Sequence, residues 1–130
     1  GASAIILATE ERAKKIADKP VWAKGVAHCS TAYHLGDHEL HDVSALEEAA
    51  KKAYSMAGIK DPAKEIDLVE LYDAFTYMEP LWLEGLGFCE QGGGGKLTES
   101  GKTAAAGELP VNVSGDASRG TRCWPPGSTV

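Results

Sequence analysis

The chain has 130 residues, a net charge of −6 and a pI near 5.2, and 43% of its residues are hydrophobic. This length and this mixture are typical of one globular domain. The 13 lysines and arginines are scattered, which argues against a nucleic-acid partner, because affinity for phosphates depends on clustered positive charge. No apolar run approaches the roughly 20 residues that cross a bilayer, so no membrane span is predicted.

The cysteines indicate a reducing compartment. Cys29, Cys89 and Cys123 are odd in number and show no CxxC spacing. That pattern favours free thiols over a disulfide framework. We therefore predict a cytoplasmic protein.

The first third of the chain is predicted to form a strand, a helix and a second strand. Residues 4–8 are a continuous apolar run, which is typical of a strand buried on both faces. Thr9 offers an N-cap hydroxyl to a helix that Pro20 ends. Residues 21–29 are predicted as the second strand, and residues 30–43 as a polar, His-rich loop.

The middle of the chain repeats this order. Ser44 is predicted to cap a helix that carries Leu46 and several alanines on one face, and Gly58 is predicted to end it. Residues 66–71 form the third predicted strand and residues 74–86 the third helix. The residues expected to face inward from that helix are Phe75, Met78, Leu81, Trp82 and Gly85.

The last part of the chain changes in composition. Pro80 is expected to kink the third helix or to move its start later. Residues 87–108 are predicted as a Gly-rich loop insertion, and residues 109–113 as an extended segment that returns to the core. The tetraglycine at 92–95 lacks a GxGxxG or P-loop pattern, so we interpret it as a flexible loop. The alternation of elements predicts an α/β fold: a mixed, partly parallel sheet with helices on both faces.

Three stretches together resemble the thiolase superfamily, in particular its sterol-carrier-type thiolases, thiolase-like lipid-transfer proteins and acetyl-CoA acetyltransferases. Residues 1–13 are similar to the DGA-A-ll-SEErA strand and helix that open the C-terminal half of that fold. Residues 70–76 (ELYDAFT) and 84–95 resemble its ELhDAF and LGFCekGeGG blocks. Residues 109–115 (LPVNVSG) match its lPVNpsGG segment.

The resemblance implies a fold of two similar βαβαβαββ halves packed as an αβαβα sandwich. Residues 1–130 would form an incomplete thiolase C-terminal-type domain of βαβαβα order, truncated before its last helix and two strands. A lone half exposes the helix layer that the halves share, which predicts exposed apolar surface and association with other protein. Alone, it is expected to be inactive.

The chemistry implied is acyl transfer on coenzyme A thioesters through an acyl-cysteine. Both cysteines that the family uses lie outside these residues. Tyr72 stands where the family has the Asn or His of N-E-A-F or H-D-A-F, which helps to build an oxyanion hole. A phenol can donate a hydrogen bond or act as an acid or base, and packing is the alternative role. Asp73 is expected to cap the following helix.

Thr121 stands where the family has the His of its G-H-P motif, which activates the nucleophile. The chain reads GTRCWPPG over residues 120–127. A one-base shift converts codons for that stretch into codons for GHPVLATG, and residues 128–130 then continue in register. We hypothesise a compensated frameshift, in the gene or in its sequencing. Mass spectrometry of the peptide after Arg119 distinguishes His-Pro from Cys-Trp-Pro-Pro.

Three further residues are predicted to line the substrate site. Asn112 and Gly115 lie on the segment that approaches the active site in the family, and glycine permits close backbone approach to a ligand. Phe75 belongs to the same block as Tyr72.

Other candidates have simpler interpretations. His28 and Cys29 are adjacent on a predicted strand, so their side chains point to opposite faces and cannot form a dyad. Cys89 is expected to be structural. A cluster of histidines and aspartates in residues 28–42 suggests a metal site, but its spacing matches no zinc pattern, so we favour a solvated loop. Its members are His28, His34, His38, His41, Asp37 and Asp42.

We interpret the chain as part of a thiolase-like enzyme that transfers acyl groups, or cleaves or joins carbon–carbon bonds, on coenzyme A thioesters. Coenzyme A is expected as part of the substrate, with no covalently bound cofactor and no metal. One alternative is a retro-aldolase of the same fold that uses Tyr72 on an acyl-CoA side chain. Another is a non-catalytic subunit or lipid-binding module. The resemblance also implies a homo-oligomer, or a hetero-oligomer with a small zinc-ribbon/OB-fold protein.

Overall fold

A computed structural model describes residues 4–32, 34–37 and 39–114 of the chain. Within those ranges the regular structure is mostly helical, and a 3₁₀ turn spans Leu35–Asp37. The five α-helices of the described residues are α1 (Glu10–Ile16), α2 (Ser44–Ala57), α3 (Pro62–Glu65), α4 (Met78–Gly85) and α5 (Gly94–Glu99).

Helix α2 lies where it was predicted and ends as predicted, but Ser44 is not its cap. Gly58 ends it in the left-handed conformation, with φ of 76°, which glycine adopts without steric cost. Its start differs in one detail: Ser44 is the first helical residue and makes no capping bond, while the carboxylate of Asp42 accepts the Ser44 N–H at 2.8 Å. The Tyr54 hydroxyl donates to the Leu86 carbonyl at 2.9 Å, which fixes α2 against the end of α4.

Helix α4 begins at Met78, four residues later than predicted. Pro80 explains the shift, because proline is tolerated in the first turn, where its missing N–H has no intrahelical partner. The predicted inward position of Gly85 is confirmed. That of Phe75 is wrong: its side chain is 59% exposed, because it precedes the helix.

Helix α5 lies inside the segment predicted as a loop, so the loop prediction is wrong for Gly94–Glu99. The Glu84 carboxylate accepts the N–H of Gly94 at 2.9 Å and so satisfies one of the free donors at the start of α5. A Cβ at Gly94 would lie 2.3 Å from the Pro80 carbonyl oxygen. Glycine is therefore what lets α5 approach α4 this closely. Whether residues 87–108 are an insertion stays a prediction.

The core joins α4 to two extended segments. Leu83 is fully buried, with an exposed fraction of 0%, and it packs with Val69, Phe88 and Leu109. The sequence prediction assumed one buried face for this helix and did not include Leu83 among its inward residues. Helix α4 contacts both α2 and α5, and a helix with neighbours on two sides buries residues outside one stripe.

The predicted strands are only partly recognisable in the described residues. One parallel bridge joins Val69 to Val111, which confirms that residues 109–113 return to the core. Residues 4–8 and 21–29 have no ladder partners in the described part of the chain. Several of their apolar side chains are exposed, Ile6 by 88% and Val21 by 97%. The βαβαβα order and the mixed sheet therefore stay predictions.

Candidate functional site

Residues 69–72 and 110–114 form the centre of the candidate site, because hydrogen bonds join these two segments. The Val69 N–H donates to the Pro110 carbonyl at 3.0 Å, and the Asn112 N–H donates to the Val69 carbonyl at 2.9 Å. The predicted site residues Tyr72 and Asn112 therefore lie on neighbouring segments of one unit.

The Asn112 side chain supports this unit from a strained position. Its φ is 52°, in the left-handed region, which asparagine tolerates better than most residues. Its Oδ1 accepts the Leu71 N–H at 2.6 Å. Among the described residues, no acceptor contacts the buried Nδ2 of Asn112. A buried donor without a partner costs roughly 1–3 kcal/mol, and this amide nitrogen has almost no solvent-accessible surface.

Glu70 makes a second link, which the sequence did not reveal. Its carboxylate accepts the Ser114 N–H at 2.9 Å and the Ser114 hydroxyl at 2.7 Å. Bonds to an ionised acceptor are roughly twice as strong as neutral ones. The family block carries no sign of this pairing, because the partner lies 44 residues along the chain.

Tyr72 is the accessible residue of this unit, with 71% of its side chain exposed. Its backbone is fixed, since its carbonyl accepts the indole N–H of Trp82 at 2.7 Å. The hydroxyl is thus carried on an anchored backbone and remains open to a substrate. Whether Tyr72 acts in catalysis or in packing stays a prediction.

Phe75 and Asp73 lie in the turn between Tyr72 and α4. Phe75 stacks on Tyr77 with ring centroids 5.9 Å apart and ring planes 8° apart. Both rings are exposed, so the Phe75 side chain is accessible. Its contact with a substrate stays a prediction. Asp73 is not the N-cap of α4, because Tyr77 holds that position.

A cavity opens beside Tyr72. Residues from α2 and α4 form its apolar part, and four polar residues lie at its wall: His28, Cys29, Glu70 and Tyr72. The sequence interpretation excluded a dyad of His28 and Cys29, and it did not foresee that both would line a cavity with Tyr72.

Cys89, whose thiol packs against the core, is poorly suited to nucleophilic chemistry. Burial first, and then the nearby Glu84 carboxylate, raise the pKa of Cys89 above its ordinary value. A thiol with a raised pKa carries little thiolate at neutral pH. This agrees with the structural role expected for Cys89.

Several predicted positions lie outside the described residues: His38, Gly115, Thr121 and Cys123. Within the described ranges, no group of three or more His, Cys, Asp or Glu side chains is placed to hold a metal ion. The helices described in the chain are all too short or too polar to cross a membrane.

Comparison with known proteins identifies the family. The profile of the family described as "Thiolase C-terminal domain-like" matches residues 26–123. The chain belongs to this family. An acetyl-CoA acetyltransferase of Methanothermobacter thermautotrophicus is 40% identical over 116 residues, which are 88% of this chain and 30% of that protein. Sterol carrier protein 2 of Bos taurus is 32% identical over 121 residues, which are 88% of this chain and 22% of that protein.

A solved structure supports the same thiolase-like fold. The Ltp2-ChsH2(DUF35) aldolase superimposes with a TM-score of 0.57 and 27% sequence identity, over 68% of this chain and 24% of that one. The thiolase-like chain thus spans about 30% or less of the length of the relatives that it matches.

Proposed function

We propose that this thiolase-like chain is part of an enzyme that acts on acyl-CoA thioesters, by acyl transfer or by thiolytic cleavage or condensation. The observation that carries the proposal is that hydrogen bonds hold the segments of Tyr72 and Asn112 side by side. The chain that contains them is a member of this family. Thioester chemistry develops negative charge on a carbonyl oxygen, and fixed donors stabilise that charge.

In this proposal the two segments hold such a donor in place. The Tyr72 hydroxyl donates a hydrogen bond near the thioester carbonyl. Asn112 supports it from the neighbouring segment, because its Oδ1 accepts the N–H of Leu71, the residue before Tyr72. Asn112, Gly115 and Phe75 line the substrate site in this proposal, and position 121, where this sequence has Thr121, would have held the base.

The rest of the enzyme is proposed to come from a longer polypeptide. The chain corresponds to about 30% of the acetyltransferase that it resembles, and its apolar segments at 4–8 are exposed. The cysteine that accepts the acyl group from the sulfur of coenzyme A would lie in the remaining part, so residues 1–130 alone would not catalyse. We further propose a cytoplasmic oligomer, either of like subunits or with a small zinc-ribbon/OB-fold partner.

The test is turnover of acyl-CoA by the protein expressed from its complete gene. We expect an acyl-cysteine that can be trapped and identified by mass spectrometry. Tyr72→Phe removes only the hydroxyl and should lower kcat by roughly 10²–10³-fold, as loss of one oxyanion donor does. Tyr77→Phe is the matched control and should leave kcat unchanged. Turnover equal to wild type in Tyr72→Phe would contradict the role of Tyr72.

A retro-aldolase that acts on an acyl-CoA side chain is the second candidate. Two observations favour it: the structural likeness to the Ltp2-ChsH2(DUF35) aldolase and the exposed phenol of Tyr72, which can act as an acid or base. Release of an aldehyde or ketone without an acyl-cysteine would support it over acyl transfer. Coenzyme A binding with neither product would instead indicate a non-catalytic subunit or lipid-binding module.

A further inference from the structure

Glu70 connects the two segments of the site on the face that carries Tyr72. Glu70 and Tyr72 both line the cavity beside α2, together with Leu71 between them. Val69, the residue before Glu70, is buried in the core. The carboxylate that binds Ser114 therefore lies on the side of the reactive phenol.

The bonds of Glu70 and Asn112 cross between the segments in opposite directions. Glu70 holds Ser114 of the later segment through both carboxylate oxygens. Asn112 holds Leu71 of the earlier segment through Oδ1. A shift of one residue between the segments would break both links, so together they fix the register more firmly than the backbone bonds of Val69 alone.

The register matters for Tyr72 through Asn112. The Oδ1 of Asn112 accepts the N–H of Leu71, the residue before Tyr72, so the position of residues 110–114 bears on the backbone that carries the phenol. The main chain of Asn112 is in the left-handed region, a conformation that persists when surrounding contacts enforce it. The pair of hydrogen bonds from Ser114 to the Glu70 carboxylate is such a contact, two residues further along the chain.

We propose that Glu70 is a positioning residue: through Ser114 it holds residues 110–114 in place, and through the bond of Asn112 to Leu71 it fixes the backbone that presents the Tyr72 hydroxyl to the substrate carbonyl. This inference rests on the proposed function, since alignment affects turnover only if Tyr72 contacts the substrate. Misplacing a group by about 1 Å can cost 10²-fold in rate. Glu70 itself need not touch the substrate.

The test compares three variants of the protein expressed from its complete gene. Glu70→Ala should lower kcat by about tenfold and leave KM for the acyl-CoA within about twofold, because alignment is lost rather than binding. Glu70→Gln keeps one carbonyl acceptor for Ser114 and should recover part of kcat. Glu48→Ala is the control: it removes only an exposed pair with Lys52, 3.2 Å apart, and should leave kcat unchanged.

A second measurement separates this inference from the proposed function. Hydrogen exchange at the Leu71 amide, which Asn112 protects, should accelerate in Glu70→Ala and not in Glu48→Ala. If wild-type protein turns over no acyl-CoA, the proposed function fails, and unchanged exchange at Leu71 would overturn the positioning role as well. With an active enzyme, a Glu70→Ala kcat equal to that of Glu48→Ala, or no recovery in Glu70→Gln, overturns the positioning role alone.

Discussion

Two apolar segments of this chain read alike in sequence and differ in their surroundings. Residues 66–71 contribute Val69 to a buried cluster and bond to residues 110–112. Residues 4–8 are at least as apolar, yet Ile6 is 88% exposed. The first segment finds its partners among the described residues, and the second does not. An apolar run thus indicates that a segment is to be covered, without indicating which part of the protein covers it.

The difference also bears on the proposed longer polypeptide. The packed region carries Tyr72 and Asn112, and His28 and Cys29 of segment 21–29 line the cavity beside Tyr72. The open segments, 4–8 and 21–26, contribute exposed apolar side chains, which in water favour association. If the proposal is right, the open segments become core when the rest of the protein is present.

The largest expected effect compares one leucine of the packed region with one isoleucine of the open region. Leu83→Ala should lower the free energy of unfolding by about 2–5 kcal/mol, because Leu83 is fully buried. Ile6→Ala should change it by less than about 0.5 kcal/mol, because Ile6 is already in water. Urea unfolding of the 130-residue chain, followed by circular dichroism, measures both.

The variants Leu83→Ala and Ile6→Ala can also be compared in the protein expressed from its complete gene. There Ile6→Ala should cost more than about 1 kcal/mol, since the segment would be covered. Equal, small effects of Ile6→Ala in both proteins would show that residues 4–8 stay exposed. A small effect of Leu83→Ala would show that the described core is wrong.

The second comparison uses adjacent glycines at the start of α5. Gly94→Ala places a Cβ 2.3 Å from the Pro80 carbonyl oxygen, so α5 must move from α4, at an expected cost of about 1–3 kcal/mol. A Cβ at Gly95 meets no atom within 4 Å. Gly95→Ala should therefore stabilise the helix by up to about 1 kcal/mol. Thermal unfolding of both variants checks this, and equal shifts would contradict the packing of α5 on α4.

Local signals determined how much of the fold could be predicted. The extent of helix α2 could be predicted because its amphipathic pattern runs directly into Gly58, although Ser44 is not its cap. Helix α5 was missed because a glycine run has the poorest helix propensity apart from proline. It forms where the Glu84 carboxylate binds its first turn and Pro80 lies against Gly94, and such tertiary contacts are not visible in a local pattern.

The site follows the same rule. Tyr72 and Asn112 could be named because each lies in a stretch that resembles a family block. Their connection could not be foreseen, because the Asn112 amide reaches Leu71 across 41 residues and Glu70 reaches Ser114 across 44. Phe75 was misplaced because the helix was predicted to start before it.

The smallest expected effect concerns the thiol that packs against the core. The pKa of Cys89 is raised, mainly by burial and further by the Glu84 carboxylate, so the folded chain binds this proton more tightly than the unfolded chain. Its contribution to stability is complete below the unfolded thiol's pKa of about 8.5, and it is lost as the pH rises through the higher folded pKa.

We therefore expect the free energy of unfolding to decline above about pH 8.5 more steeply in the wild-type chain than in Cys89→Ala. Cys29→Ala is the matched control: it removes the thiol at the cavity wall and leaves Cys89 in place, so it should keep the wild-type decline. Urea titrations between neutral pH and about pH 9.5, below the ordinary pKa of tyrosine, measure the slopes. A decline that survives in Cys89→Ala would show that this thiol is not held in a desolvated position, and the boundary of the packed region would then exclude it.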